Sequence, residues 1–188
     1  MRGVILYGPP ASGKDTVTAA LHELDNRYQQ FQRLKAGPGR TAGYRMTTKD
    51  ELAALHASGG VVWENHRYGS VYVVDAPGLR QQLAEAVPVV HLGQVEAIDA
   101  VRQALPEVEW TVVALTCPRH VAEQRIVQRQ TGDTWERLRA WDETEPVTIA
   151  ADVTIDTSQN PPDLAAKLVD KAARHRDRVI KATVSYRR

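Results

Sequence analysis

Residues 3–16 read GVILYGPPASGKDT: an apolar, β-branched run, a turn rich in Gly and Pro, and a lysine that opens the amphipathic pattern DTVTAALHEL. Gly8, Gly13 and Lys14 fit the spacing G-x-x-x-x-G-K-[ST] of a phosphate loop. The chemistry explains the spacing. Backbone N–H groups of the turn and the positive end of the helix dipole hold phosphate oxygens, while the lysine neutralises the β and γ phosphates. Strand, turn and helix stand in the order this requires. Gly8, Pro9, Pro10, Ala11, Ser12, Gly13 and Lys14 are therefore expected to cradle the phosphates of ATP.

Position 15 departs from the pattern. Asp15 stands where a magnesium-binding hydroxyl is expected, and Thr16 follows it. A bare carboxylate beside triphosphate is repelled unless a cation lies between them. Mg²⁺ is a hard cation that accepts carboxylate oxygens, which makes Asp15 and Thr16 candidate metal ligands. The compatible alternative is an acid favoured by the dipole in the first helical turn.

Outward from this motif, short apolar runs alternate with helical patterns. A helix from about Lys14 to Leu24 precedes VVWEN and VYVVD; helices over 78–86 and 94–105 flank VPVVHLG; WTVVALT follows. That rhythm predicts an α/β fold with a central parallel sheet flanked by helices. Helical patterns over about 118–130 and 133–145 are separated by Thr131-Gly132, a helix stop and restart. ADVTIDTS reads as a strand, and Pro161-Pro162 open a final helix with a basic tail. Residues 31–66 break the rhythm, with short extended pieces near RLKAG and TAGYRM and the helical pattern KDELAALHA. The expectation is one domain of 1–188, with a core of 1–30 and 67–188 and a mixed insertion over about 31–66 that holds a second substrate.

Composition narrows the function classes. Of 188 residues, 24 are Lys or Arg and 23 are Asp or Glu, so the overall field gives no argument for nucleic acid or a membrane surface as partner. The single cysteine, Cys117, has no partner for an internal disulfide. No apolar run approaches the roughly 20 residues that span a bilayer. Residues 1–7 lead straight into the phosphate loop, leaving no room for a cleavable signal, and the expected compartment is the cytoplasm.

GPPASGKDT, the pair GYRM and RYGS around VVWEN, and RHVAEQRIVQRQTGDTWERLRAWDE together resemble the guanylate kinase-like group of phosphate-loop kinases over nearly the whole chain. The resemblance implies an ATP- and Mg²⁺-dependent phosphotransferase acting on a nucleoside monophosphate or similar phosphorylated small molecule, as a monomer or homodimer. It places Arg33, Lys35 or Arg40, Tyr44, Glu64, Tyr68 and Ser70 around the acceptor, and Arg119 against the adenine of ATP. Phosphoryl transfer between two anions also needs positive charge closing over the transferred group. Arg125, Arg129 and Arg137, with Arg139, supply it from a lid over about 119–145. A solvated helix face, with Glu123 and Glu136 as surface partners, is the other reading of these arginines.

Two departures bear on the acceptor. After VPVVHLGQ the guanylate kinases carry an acidic pair, whereas this chain has His91 and Gly93; the basic segment reads QRLKAGPGR. GKD[ST] with a non-acidic turn is similar to the ribose 1,5-bisphosphate phosphokinases, so a sugar-phosphate acceptor is the alternative. A non-catalytic interaction module is a third reading, opposed by the intact Lys14. His91 is a candidate for substrate or metal-bound water. Trp63 is expected to stack on a ring or pack under the insertion. DAPG at 75–78 imitates a GTPase switch, but Asp75 is better read as an N-cap followed by Pro77.

Overall fold

A computed structural model describes residues 1–39, 41–67, 69–130, 132–146 and 151–185, the stretch 176–185 by its backbone alone. The expected parallel sheet is present. Strands β1 (Arg2–Tyr7), β2 (Tyr28–Gln30), β7 (Val87–Leu92), β8 (Glu109–Thr116) and β9 (Val153–Asp156) form one sheet in the order β2-β7-β1-β8-β9. All its pairings are parallel, with Ile5 opposite Val90 on one side and Val112 on the other.

Alternation along β1 builds two cores. Val4 and Leu6 pack with Val17 and Leu21 of α1 (Lys14–Leu24) and with Ala165, Ala166 and Val169 of α7 (Pro162–Ser185). Ile5 and Tyr7 face the opposite layer, where α3 (Ala76–Glu85) gives Leu79 and Leu83 and α4 (Val95–Ala104) gives Ala97, Ile98 and Val101. A strand buried on both faces reads as a continuous apolar run, which is what GVILY is.

The insertion folds as a second sheet, in the order β4-β3-β6-β5: β3 (Leu34–Ala36), β4 (Arg45–Met46), β5 (Val61–Arg67) and β6 (Ser70–Asp75). Helix α2 (Lys49–Ala57) covers one face, and its first turn is fixed by the reciprocal bonds of Thr48 and Glu51. VVWEN was expected within the insertion and VYVVD in the core that resumes at residue 67. Together they form an antiparallel hairpin of the second sheet, which extends the insertion to Asp75. Arg67 pairs with Ser70 across two intervening residues, a gap that only an antiparallel connection bridges. The hairpin is anchored to the main core through Val62, Trp63 and Val74. The expected helices over 118–130 and 133–145 are α5 (Arg119–Gln128) and α6 (Thr134–Asp142).

Leu21 is fully buried between the sheet and α7. Leu21→Ala is expected to lower unfolding free energy by about 2–5 kcal/mol, read as a reduced urea midpoint with an unchanged slope.

Candidate active site

Strand β1 ends at Tyr7, and the phosphate loop turns back over the sheet from Gly8 to Gly13. A Cβ at Gly8, where φ is 154°, would lie 2.3 Å from the Leu115 carbonyl oxygen, so no larger residue fits. Ala11 has φ 61°, strained for a residue with a side chain. Its methyl is held in a small apolar cluster with Cys117 and with Ala122, Ile126 and Leu138 of the lid helices. The loop and the lid thus share one core.

The loop backbone is braced from the far end of the sheet. Thr157, directly after β9, donates from Oγ1 to the Ser12 carbonyl at 3.0 Å. Arg125 donates from Nη1 to the Ala11 carbonyl at 3.1 Å and to Thr157 Oγ1 at 2.9 Å. Arg125 was expected over the transferred phosphate; its guanidinium is instead bonded to the loop backbone. The reason is reach: position 125 lies on α5, whose Ala122 and Ile126 pack directly on Ala11.

Lys14 folds back over the loop, donating from Nζ to the carbonyls of Gly8 at 2.6 Å and Pro9 at 2.8 Å. Burial pulls its pKa down to about 8, with Arg33 and Arg129 adding to the drop and Asp15 opposing it. At the head of α1, Gly13 provides no side-chain cap. The N–H groups of Lys14, Asp15 and Thr16 therefore have no intrahelical acceptor, and with the Lys14 ammonium they form a set of donors of the kind that suits an anion.

Asp15 is exposed, with Oδ1 3.5 Å from His91 Nδ1 and Oδ2 4.0 Å from an Arg129 nitrogen. Its hydrogen bond from His91 holds its pKa near 2, so the carboxylate is charged. His91 is shifted the other way, below the usual imidazole range, by burial. Its Nε2 lies 2.7 Å from Thr18 Oγ1, which ties β7 to α1. Among the described residues, no three His, Cys, Asp or Glu side chains converge on a metal position. Mg²⁺ needs no such cage, since it keeps several waters and takes one or two carboxylates plus phosphate oxygens. Asp15 and Thr16, both exposed at the start of α1, fit that demand.

On the insertion, Arg33 lies over the Tyr72 ring at 5.4 Å. Lys35 Nζ is 5.6 Å from the ring centres of both Tyr44 and Tyr72 and donates to the Pro38 carbonyl at 2.6 Å. Ser70 is buried and donates to the same carbonyl at 3.0 Å. Arg45, which sequence reasoning passed over, forms an ion pair with Asp75. That acid also caps α3 through the Gly78 N–H, as its N-cap reading requires. Arg40 and Tyr68, expected at the acceptor, lie outside the described residues.

Glu64 was expected on the acceptor too, but its oxygens lie 2.8 Å from His56 Nε2 and 3.3 Å from His66 Nε2. It pairs with Val73, whose side chain belongs to the α2-side cluster, so it shares the face turned away from Lys35 and Tyr72. Arg119, expected at adenine, is bound by Asp142 at 2.8 Å and Glu123 at 3.3 Å, which fastens the start of α5 to the end of α6. Arg137 pairs with Asp133 at 2.7 Å and Arg139 with Glu143 at 2.8 Å. Arg129 approaches Asp15.

No protein-family profile matches the chain, and no curated protein does by sequence. Solved structures do match in shape. The guanylate kinase of Anaplasma phagocytophilum aligns at TM-score 0.57 with 10% identity, over 93% of this chain and 85% of its own. A gluconokinase from Sinorhizobium meliloti 1021 aligns at TM-score 0.50 with 20% identity, over 98% of this chain and 97% of its own. The chain shares its fold with these two solved structures.

Thr157→Val removes the hydroxyl that joins Ser12 to Arg125. The expected cost is about 1–3 kcal/mol of stability, measured by chemical denaturation, with increased hydrogen exchange at the loop amides.

Proposed function

We propose that this chain is an ATP-dependent phosphotransferase that moves the γ-phosphoryl group to a phosphorylated small molecule held by the second sheet. One observation carries the reading. Arg33, at the edge of the insertion's cationic and aromatic face, lies close enough to Lys14 and His91 for its charge to depress both. Two sets of anion-attracting groups are therefore within electrostatic reach of each other, one built on backbone amides and one on side chains. Transfer between two anions depends chiefly on such positioning and charge neutralisation.

Lys14 holds the outer phosphates and the free amides of α1 orient them. Arg129 and Arg137 add charge when the lid approaches, while Arg125 and Thr157 keep the loop rigid. Mg²⁺, when bound, neutralises phosphate oxygens, and Asp15 and Thr16 are the residues placed to hold it. Arg33, Tyr44 and Lys35 attract the acceptor's phosphate. No strong base is required by a largely dissociative transfer.

Within this reading the acceptor is either a nucleoside monophosphate or a sugar phosphate such as a ribose bisphosphate. Glu64, which the resemblance places at the acceptor, is engaged by His56 and His66 on the far face of the sheet, so the choice between the two acceptors rests on other groups. An ADP-release assay across nucleoside monophosphates, ribose phosphates and hexose phosphates tests it; a wide preference for GMP would overturn the sugar-phosphate alternative.

Titration calorimetry of ATP with wild type and Lys14→Ala is expected to show at least a tenfold weaker Kd in the variant, about 1.4 kcal/mol. Absent binding by the wild type, or equal binding by both, would sink the kinase reading. For Asp15→Ser, the Mg²⁺ concentration giving half-maximal turnover is expected to shift several-fold. An unchanged Mg²⁺ curve would reduce Asp15 to a helix charge.

A further inference from the structure

Asn65 is opposite Tyr72 on β6, and Tyr72 is opposite Lys35 on β3. Directly opposed residues share a face, so these side chains form one row across the second sheet. It is the face on which Arg33 covers the Tyr72 ring and reaches Lys14 with its charge. At the end of this row, Asn65 Oδ1 is buried and has no hydrogen-bond partner among the described residues.

The contrast with its neighbour is informative. Glu64, one residue earlier and on the opposite face, has a partner for each oxygen. A buried carboxamide oxygen without a donor loses its water and gains nothing in return. Such an atom, on the same sheet face as a row of cationic and aromatic groups, marks a position that a ligand donor completes.

We infer that Asn65 is a specificity-determining residue of the acceptor site, its Oδ1 accepting a hydrogen bond from an O–H or N–H of a phosphorylated small molecule. The phosphate of that molecule lies toward Arg33 and Lys35, and its ring lies along Tyr72. Adjacent strands are about 4.8 Å apart, so Asn65 stands roughly 10 Å across the sheet from β3, the span of one ring with its phosphate. An amide suits this place better than a carboxylate, since it accepts without repelling the phosphate. The inference rests on the phosphotransfer reading for the occupant's role, but the hydrogen bond is a binding property that is measurable without turnover.

The test is equilibrium titration without ATP. Ribose 5-phosphate, glucose 6-phosphate and the nucleoside monophosphates are titrated into wild type, Asn65→Leu and Asn65→Ser. The best-bound compound is then compared with its analogues lacking one hydroxyl or amino group. Wild type is expected to bind at least one compound about tenfold more tightly than Asn65→Leu, with Asn65→Ser intermediate and the ATP Kd unchanged in all three. One deleted donor group is expected to cost wild type about tenfold and Asn65→Leu nothing. Which analogue does so separates a sugar hydroxyl from a base amine. Equal binding by all three proteins, equal losses with every analogue, or no binding to wild type would overturn the assignment. A binding defect in Asn65→Leu without acceptor-dependent ADP release by wild type would instead sink the phosphotransfer reading and leave the Asn65 contact standing.

Discussion

Strand β1 has parallel neighbours on both edges and side chains buried on both faces, so the chain leaves it at its carboxyl end with nowhere to go but back over the sheet. The turn it makes there is too tight for a Cβ at Gly8 and forces Ala11 into a left-handed conformation. The following helix then begins without a side-chain cap. Unsatisfied amides and a nearby lysine are thus consequences of how the central strand is buried. Parallel sheets bind ligands at their carboxyl edge for the same reason.

Every other part of the site is arranged around that edge. Helix α5 and the residue after β9 hold the loop from one side through Arg125 and Thr157. His91, at the end of β7, meets Asp15 and Thr18 from the other. The second sheet brings a separate set of positive charges, softened by aromatic rings. The proposed site thus draws on two sheets of opposite construction. One is parallel and presents backbone, and the other is largely antiparallel and presents side chains.

Much of this was legible in the sequence, because GVILYGPPASGKDT places strand, turn and helix side by side without any long-range information. The helical patterns were legible for the same reason, to within a few residues at each end. What failed depended on pairing. Apolar runs such as VYVVD do not say which sheet they join, although Gly69 in a two-residue gap carried a hairpin signal. The faces of Glu64 and Asn65 were hidden more deeply. A register shift between Val61 and Trp63 decides which of them points inward, and one extra residue in a strand is invisible until its partner is known. Arg119 and Arg125 were legible as arginines at helical spacing. Their partners Asp142 and Thr157 lie too far along the chain to be read from it.

The packing of α7 on α1 sets an order of manufacture. Val17 and Leu21 are covered by Ala165, Ala166 and Val169, and the fully buried Tyr28 donates its hydroxyl to Asp170 at 2.8 Å. A chain emerging from the ribosome exposes its N-terminal segment first. The loop residues are thus among the earliest made, while the groups that cover and brace them are among the latest. A nascent chain can carry the whole GPPASGKDT motif and still lack the surface that keeps it in shape. The loop therefore takes its braced shape only after Arg125 and Thr157 have been made.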